Sequence, residues 1–139
     1  MKPADPELSA RAAQFLYRYA SATDSGDFSA LAELLAPDVV LDRPDGVLHG
    51  REAFLDVYRS VHQSRSGISQ HSVTNVRASR DDDGCVRVAA YFRAAVVGAG
   101  GLTVILGRYD DILREEADGF RFVRKGNLVD AVIPLRPST

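Results

Sequence analysis

Three turn signals divide the second half of this chain into four β-rich runs, and they limit its possible folds more than any other feature. Asp81-Asp82-Asp83-Gly84 follows His71–Arg80, and Gly98-Ala99-Gly100-Gly101 follows Cys85–Val97. Glu115–Gly119, ending in Asp118-Gly119, separates Leu102–Arg114 from Phe120–Val132. Asp-Gly and Gly-rich connections between β-rich runs signal hairpins, because glycine accepts the positive φ of tight turns. The expectation is a four-stranded antiparallel meander. Each run is roughly ten residues long, against a usual ~5–6, and long antiparallel strands twist and coil.

The first half reads as helix. Leu8, Ala12, Phe15, Leu16, Tyr19, Ala20 and Thr23 recur at three- and four-residue spacing, which predicts a helix over 7–24 with one apolar face. Ser25-Gly26-Asp27 breaks it. Asp27 is placed to cap a short second helix carrying Phe28, Leu31, Leu34 and Leu35, which stops before Pro37. Val39–Asp42 reads as a short extended run, Pro44-Asp45-Gly46 as a turn and Val47-Leu48-His49 as its return. A third helix is predicted from Arg51 to Gln63, with Ala53, Phe54, Val57, Tyr58 and Val61 on one face and a polar loop over Ser64–Ser69 behind it. The fold class is therefore α+β. A curved antiparallel sheet of four long strands, with the short pair near 39–49 at one edge, wraps three helices and closes a cone around a pocket. One domain over 1–139 is expected, with Leu135–Thr139 as a frayed tail.

Composition narrows the function. The chain has 139 residues, 45% hydrophobic and 26% charged, which is ordinary for one globular domain with a full core. Net charge is −2 with both signs interspersed, so no basic stripe calls for a nucleic-acid partner. No apolar run approaches the ~18 residues of a membrane span. Residues 1–7 are polar and lack a signal-peptide apolar region, and Cys85, the single cysteine, cannot form an intrachain disulfide. A cytoplasmic location is expected. Cys85 reads as a half-buried small residue opening a strand. No Cys/His cluster or carboxylate cage is visible, so no metal is expected, and the 98–101 glycines lack the lysine and helix of a phosphate loop.

Several segments resemble one family. Tyr19-Ala20-Ser21-Ala22-Thr23-Asp24-Ser25-Gly26-Asp27-Phe28 followed by Leu31–Val39, with its Ala36-Pro37-Asp38-Val39, is similar to the opening of SnoaL-like and scytalone-dehydratase-like proteins of the nuclear transport factor 2-like superfamily. His49-Gly50-Arg51-Glu52-Ala53 resembles the family's entry to helix three, and His71-Ser72-Val73-Thr74-Asn75 the start of its first long strand. Gly107–Asp111 and Asp118–Phe122 resemble the last hairpin. This fold hosts dehydratases, cyclases, isomerases, epoxide hydrolases and non-catalytic binders, so the resemblance fixes fold rather than reaction.

The resemblance implies that Asp24 orients a catalytic His71. The chemistry suits both. An imidazole titrating near pH ~6.5 can take and return a proton around neutrality, and a carboxylate on one ring nitrogen fixes its tautomer. The plain alternative is that Asp24 terminates helix one and His71 is a satisfied core histidine. Departures from the scytalone-type site argue against that exact reaction. Ala94-Ala95-Val96-Val97 stands where a second histidine would be, Thr23 and Arg43 stand at tyrosine positions, and no Arg-x-Asp pair lies over Arg87–Arg93.

Arg108 and Asp110 share one strand face, and Tyr109 and Asp111 share the other. Alternation does not assign these faces. Counting back from the Asp118-Gly119 turn along the family pattern favours Arg108 and Asp110 inside, as substrate-binding groups. Tyr19, Thr23, Tyr58 and Tyr91 are the further candidates for pocket lining. His49 and His62 carry little signal. The reading is a cofactor-independent lyase, isomerase or cyclase for an apolar oxygenated molecule, working as a homodimer or homotrimer. A non-catalytic small-molecule binder is the alternative, and an assembly domain using the outer sheet face is a third.

Overall fold

Asp5 starts the first helix. Its Oδ1 accepts from the Leu8 N–H at 3.0 Å, and Pro6 follows in the first turn, where a missing N–H costs nothing. This helix, α1 (Pro6–Ser25), buries the apolar face read from the sequence, including Leu8, Ala12, Phe15, Leu16 and Tyr19. Gly26 ends it at φ 69°, a left-handed cap that favours glycine. The structure, a computed structural model, describes residues 2–65 and 67–136.

Asp27 caps α2 (Phe28–Glu33), its Oδ1 accepting from Ala30 N–H at 3.0 Å. Two short strands follow, β1 (Leu35–Arg43) and β2 (Gly46–His49), then α3 (Arg51–Ser64). β1 begins four residues before the expected Val39 and runs through Pro37. Four long strands complete the chain: β3 (Ser69–Arg80), β4 (Val86–Gly98), β5 (Gly101–Glu116) and β6 (Gly119–Leu135). Leu135 thus belongs to a strand rather than to the expected tail. Arg136 follows it outside any regular element, and the remainder, residues 137–139, lies outside the described residues.

The sheet order is β2-β1-β6-β5-β4-β3. The four long strands form the predicted meander, and the short pair joins its edge through a parallel β1–β6 pairing. The sheet is curved and unclosed, with the helices packed against it. Its ladders carry irregularities in register, which strengthen local twist. One lies between Thr74 and Arg77 of β3, where Asn75 takes φ 54°. Two lie along the β5–β6 ladder. The second of these governs the site. Leu113 pairs with Phe122 but Ile112 with Arg124, so β6 carries an extra residue there. Its alternation then reverses, turning Lys125 inward and leaving Arg124 outside on Asp42.

The ends of α1 are fastened to β3. Asp5 N–H donates to Ala78 O at 2.8 Å, and Ser9 Oγ accepts from Ala78 N–H at 2.8 Å. The other end of α1 carries Asp24 to the start of the same strand.

Candidate functional site

Asp24 occupies the last turn of α1 and His71 the third residue of β3, so one helix–strand contact brings them together. Asp24 Oδ1 accepts from His71 Nδ1 at 2.6 Å and from Ser69 Oγ at 3.0 Å. Its Oδ2 accepts from the His71 backbone N–H at 2.8 Å. Burial alone would raise the Asp24 carboxyl. The hydrogen bonds from the His71 ring, the His71 backbone and Ser69 outweigh it and hold the group below its ordinary range. A carboxylate on Nδ1 requires a proton there, so a neutral ring leaves Nε2 bare.

His71 lines a cavity of about 200 Å³ with Phe92, Ala94, Ile105, Tyr109 and Val129. An adjoining recess of about 420 Å³ shares Val61, Arg65, His71, Ala94 and Ile105 with it. The walls are mainly apolar. Phe92 stacks on Tyr109 at 4.5 Å and 11° and lies against the His71 ring at 6.3 Å. Gly107 makes room for Phe92, because a Cβ there would fall 2.3 Å from Phe92 Cε1.

A polar network forms another part of the wall. The Tyr19 and Tyr58 hydroxyls are hydrogen-bonded to each other, and Tyr58 accepts from Asn127 Nδ2 at 3.3 Å. Asn127 Oδ1 accepts from Lys125 Nζ at 2.9 Å, and Lys125 also donates to Asp111 at 3.0 Å. Because Lys125 takes Oδ1, the amide presents its NH₂ to Tyr58. Burial raises the Tyr19, Tyr58 and Tyr109 phenols, so they stay protonated and available as donors at neutral pH.

Lys125 and Asp111 are both fully buried. Burial pushes the lysine down to about 8 and the aspartate up, each toward its neutral form, while their mutual attraction opposes both shifts. The ammonium also lies 3.2 Å from the centre of the Tyr109 ring, in cation–π contact.

The structure corrects part of the expected pocket lining. Tyr19, Thr23 and Tyr58 line the cavity, although Thr23 Oγ1 is engaged by donating to Ala20 O at 3.0 Å. Tyr91, Arg108 and Asp110 do not line it. They lie on the outer sheet face, where Tyr91 is 52% exposed and paired across the ladder with Arg108. Arg108 binds Asp130 at 2.8 Å, and Asp110 faces Arg87 at 3.3 Å. The reason is phase: β4 buries Val86, Val88, Ala90 and Phe92, and the β5 residues opposite the exposed ones must be exposed too. Tyr109 and Asp111 are the inward pair. Asn127, Lys125, Arg65 and His62 went unrecognised in the sequence, and His62, which carried little signal there, lines the cavity with its Nδ1 2.6 Å from Arg65 Nη2.

Among the described residues no group of three or more His, Cys, Asp or Glu could hold a metal ion. Among the same residues no helix is long and apolar enough to cross a membrane.

The SnoaL-like domain family matches residues 6–125. Among solved structures, Aln2 from a Streptomyces species is similar at TM-score 0.82 and 24% identity, covering 93% of this chain and 95% of that one. A Catenulispora acidiphila protein solved in complex with S-DNPA is similar at TM-score 0.79 and 25% identity, over 91% of this chain and 96% of that one. ActVI-ORFA from Streptomyces coelicolor matches at TM-score 0.74 and 20% identity, over 88% and 98%. These likenesses show the fold. No curated protein matches the sequence significantly.

Proposed function

The chain belongs to the SnoaL-like domain family, with the nuclear transport factor 2-like fold, and from that premise we propose that it is a cofactor-independent enzyme of the lyase, isomerase or cyclase kind. Its substrate is an apolar, oxygenated small molecule of polyketide or related type. The observation that carries this reading is the 2.6 Å contact between His71 Nδ1 and Asp24 Oδ1 in the wall of an apolar cavity. The Catenulispora acidiphila relative in complex with S-DNPA supports occupancy by a small molecule.

In this mechanism His71 Nε2 removes a proton from a carbon next to a carbonyl. The C–H electron pair moves into the new C=C bond, and the carbonyl π pair moves onto oxygen, giving an enolate. Asp24 steadies the imidazolium that forms. The free hydroxyl proton of the Tyr19–Tyr58 pair, the Tyr109 hydroxyl and the second amide proton of Asn127 are the donors available to the developing oxyanion. Returning the proton to another carbon isomerises the molecule; passing it from the imidazolium to a β-hydroxyl, which leaves as water as the enolate pair forms the α,β C=C bond and the carbonyl re-forms, dehydrates it.

The test needs no native substrate. With α-tetralone in D₂O, wild type should accelerate deuterium exchange at C2, and His71→Ala should return the rate to background with the fold intact. Equal exchange by His71→Ala would overturn the mechanism. The stretch Ala94-Ala95-Val96-Val97, which by the family resemblance lacks a second histidine, favours the second reading, a binder without chemistry; such a protein binds the ketone and exchanges nothing.

Self-association as a homodimer or homotrimer belongs to the same proposal, supported by exposed apolar groups on the outer sheet face such as Tyr91, Leu128 and Ile133. Sedimentation velocity tests it. A cytoplasmic location is proposed on the single cysteine.

A further inference from the structure

The charges around the cavity are unbalanced at its surface. Arg43 and Arg65 line it, and among the described residues no Asp or Glu does. The carboxylates that offset these groups lie elsewhere. Asp24 sits behind His71 with a side chain only 20% exposed, and Asp111 is sealed behind the wall on Lys125. Asp45, the partner of Arg43 at 3.3 Å, is 76% exposed to water, which screens that pair. A mostly apolar cavity whose lining presents cations is built for an anion.

Arg65 is the better placed of the two arginines. It stands on the lip shared by the cavity and the adjoining recess, beside His71 in both. Its Nη2 is fixed by donating to Asp24 O at 3.1 Å and by the contact with His62. A guanidinium has five N–H donors, so with Nη2 engaged the donors of Nη1 and Nε remain, and Nη1 can hold one oxygen of a carboxylate. Arg43 lines the cavity from the end of β1, with a side chain 29% exposed and its charge felt at the Tyr58 hydroxyl.

We propose that the cavity selects an anionic ligand, an aromatic or polycyclic body bearing a carboxylate, with the carboxylate held by Arg65 and attracted by Arg43. The inference rests on the reading of this cavity as a small-molecule site and adds the charge of the molecule. The apolar body packs between Phe92, Ala94, Ile105 and Val129, and the carbonyl oxygen faces Tyr58 and Asn127.

The test compares 2-naphthaleneacetic acid, ionised at neutral pH, with 2-naphthaleneacetamide, a neutral probe of nearly the same shape, by titration calorimetry on the intact protein. The acid should bind about tenfold tighter or more, as a charge-assisted pair at the edge of an apolar site allows. Raising salt should weaken the acid alone. Arg65→Gln should remove most of the acid's advantage and Arg43→Gln part of it, both leaving amide binding within about twofold. Equal affinities, or an advantage that survives in the Arg43→Gln/Arg65→Gln double variant, would overturn the anion preference while leaving the cavity and its His71 chemistry standing. Binding of neither probe would overturn the occupancy on which both proposals depend.

Discussion

The carboxylate of Asp24 holds His71 at two points, the ring Nδ1 at 2.6 Å and the backbone N–H at 2.8 Å. Ring orientation and strand position are thereby fixed by one side chain from the end of α1. Asp24→Asn keeps the shape but loses the charge. Because the folded carboxyl lies below its ordinary range, its stabilisation is fully present above that range and lost as pH falls through the folded value. Guanidinium denaturation of wild type and Asp24→Asn across pH should therefore show a gap at neutrality that narrows in acid. A gap constant down to the acid limit would contradict the assignment.

The buried Lys125–Asp111 pair yields a double-variant test. Lys125→Met alone strands a buried carboxylate and should cost about 3–5 kcal/mol. Lys125→Met/Asp111→Leu should recover most of that loss, since a buried pair replaced by apolar groups is often neutral. Denaturation midpoints check this. The pair also has a pH signature. Lys125 is depressed to about 8, so between there and the usual lysine range the unfolded chain holds a proton the folded one has released. Its contribution to stability therefore rises with pH across that window.

Inner and outer faces should separate cleanly. Tyr58→Phe removes a donor from the cavity wall and should slow α-tetralone exchange by about a hundredfold, as loss of an oxyanion donor does. Arg108→Ala and Tyr91→Ala, on the outer face, should leave exchange unchanged. Arg108→Ala should leave stability almost unchanged, because its pair with Asp130 is exposed. Exchange rates and denaturation curves for the three variants decide it.

Gly107→Ala should damage the cavity from behind. The added Cβ would meet Phe92 Cε1 at 2.3 Å and Leu128 O at 2.4 Å. Overpacking of this kind costs about 1–3 kcal/mol. It should also displace Phe92 from Tyr109, visible as changed ring shifts of both residues by NMR.

The helices and the meander were legible because their signals are local: α1 shows its face at helical spacing, and Asp-Gly turns mark two of the hairpins. Tyr19 and Thr23 lie on that face, and Tyr58 lies on the apolar face of α3. The inward face of β5 was harder. Ile112 and Leu113 are both apolar, so that strand does not declare its phase. The clearer alternation of β4, with Arg87, Tyr91 and Arg93 against Val88, Ala90 and Phe92, carried the answer, and the register transfers it to Arg108. The inward turn of Lys125 and Asn127 depends on an extra residue in β6, which leaves no mark in the sequence pattern. Arg65 and His62 meet the cavity only through the packing of the α3 terminus.

The central claim is that Asp24 keeps the proton of a neutral His71 on Nδ1 and leaves Nε2 as a base at the cavity. Long-range ¹H–¹⁵N NMR of the histidine rings above the imidazole titration reads this directly. The account predicts a protonated Nδ1 and a bare Nε2 for His71, with this preference weakened in Asp24→Asn. A proton on Nε2 in the wild-type protein would contradict it.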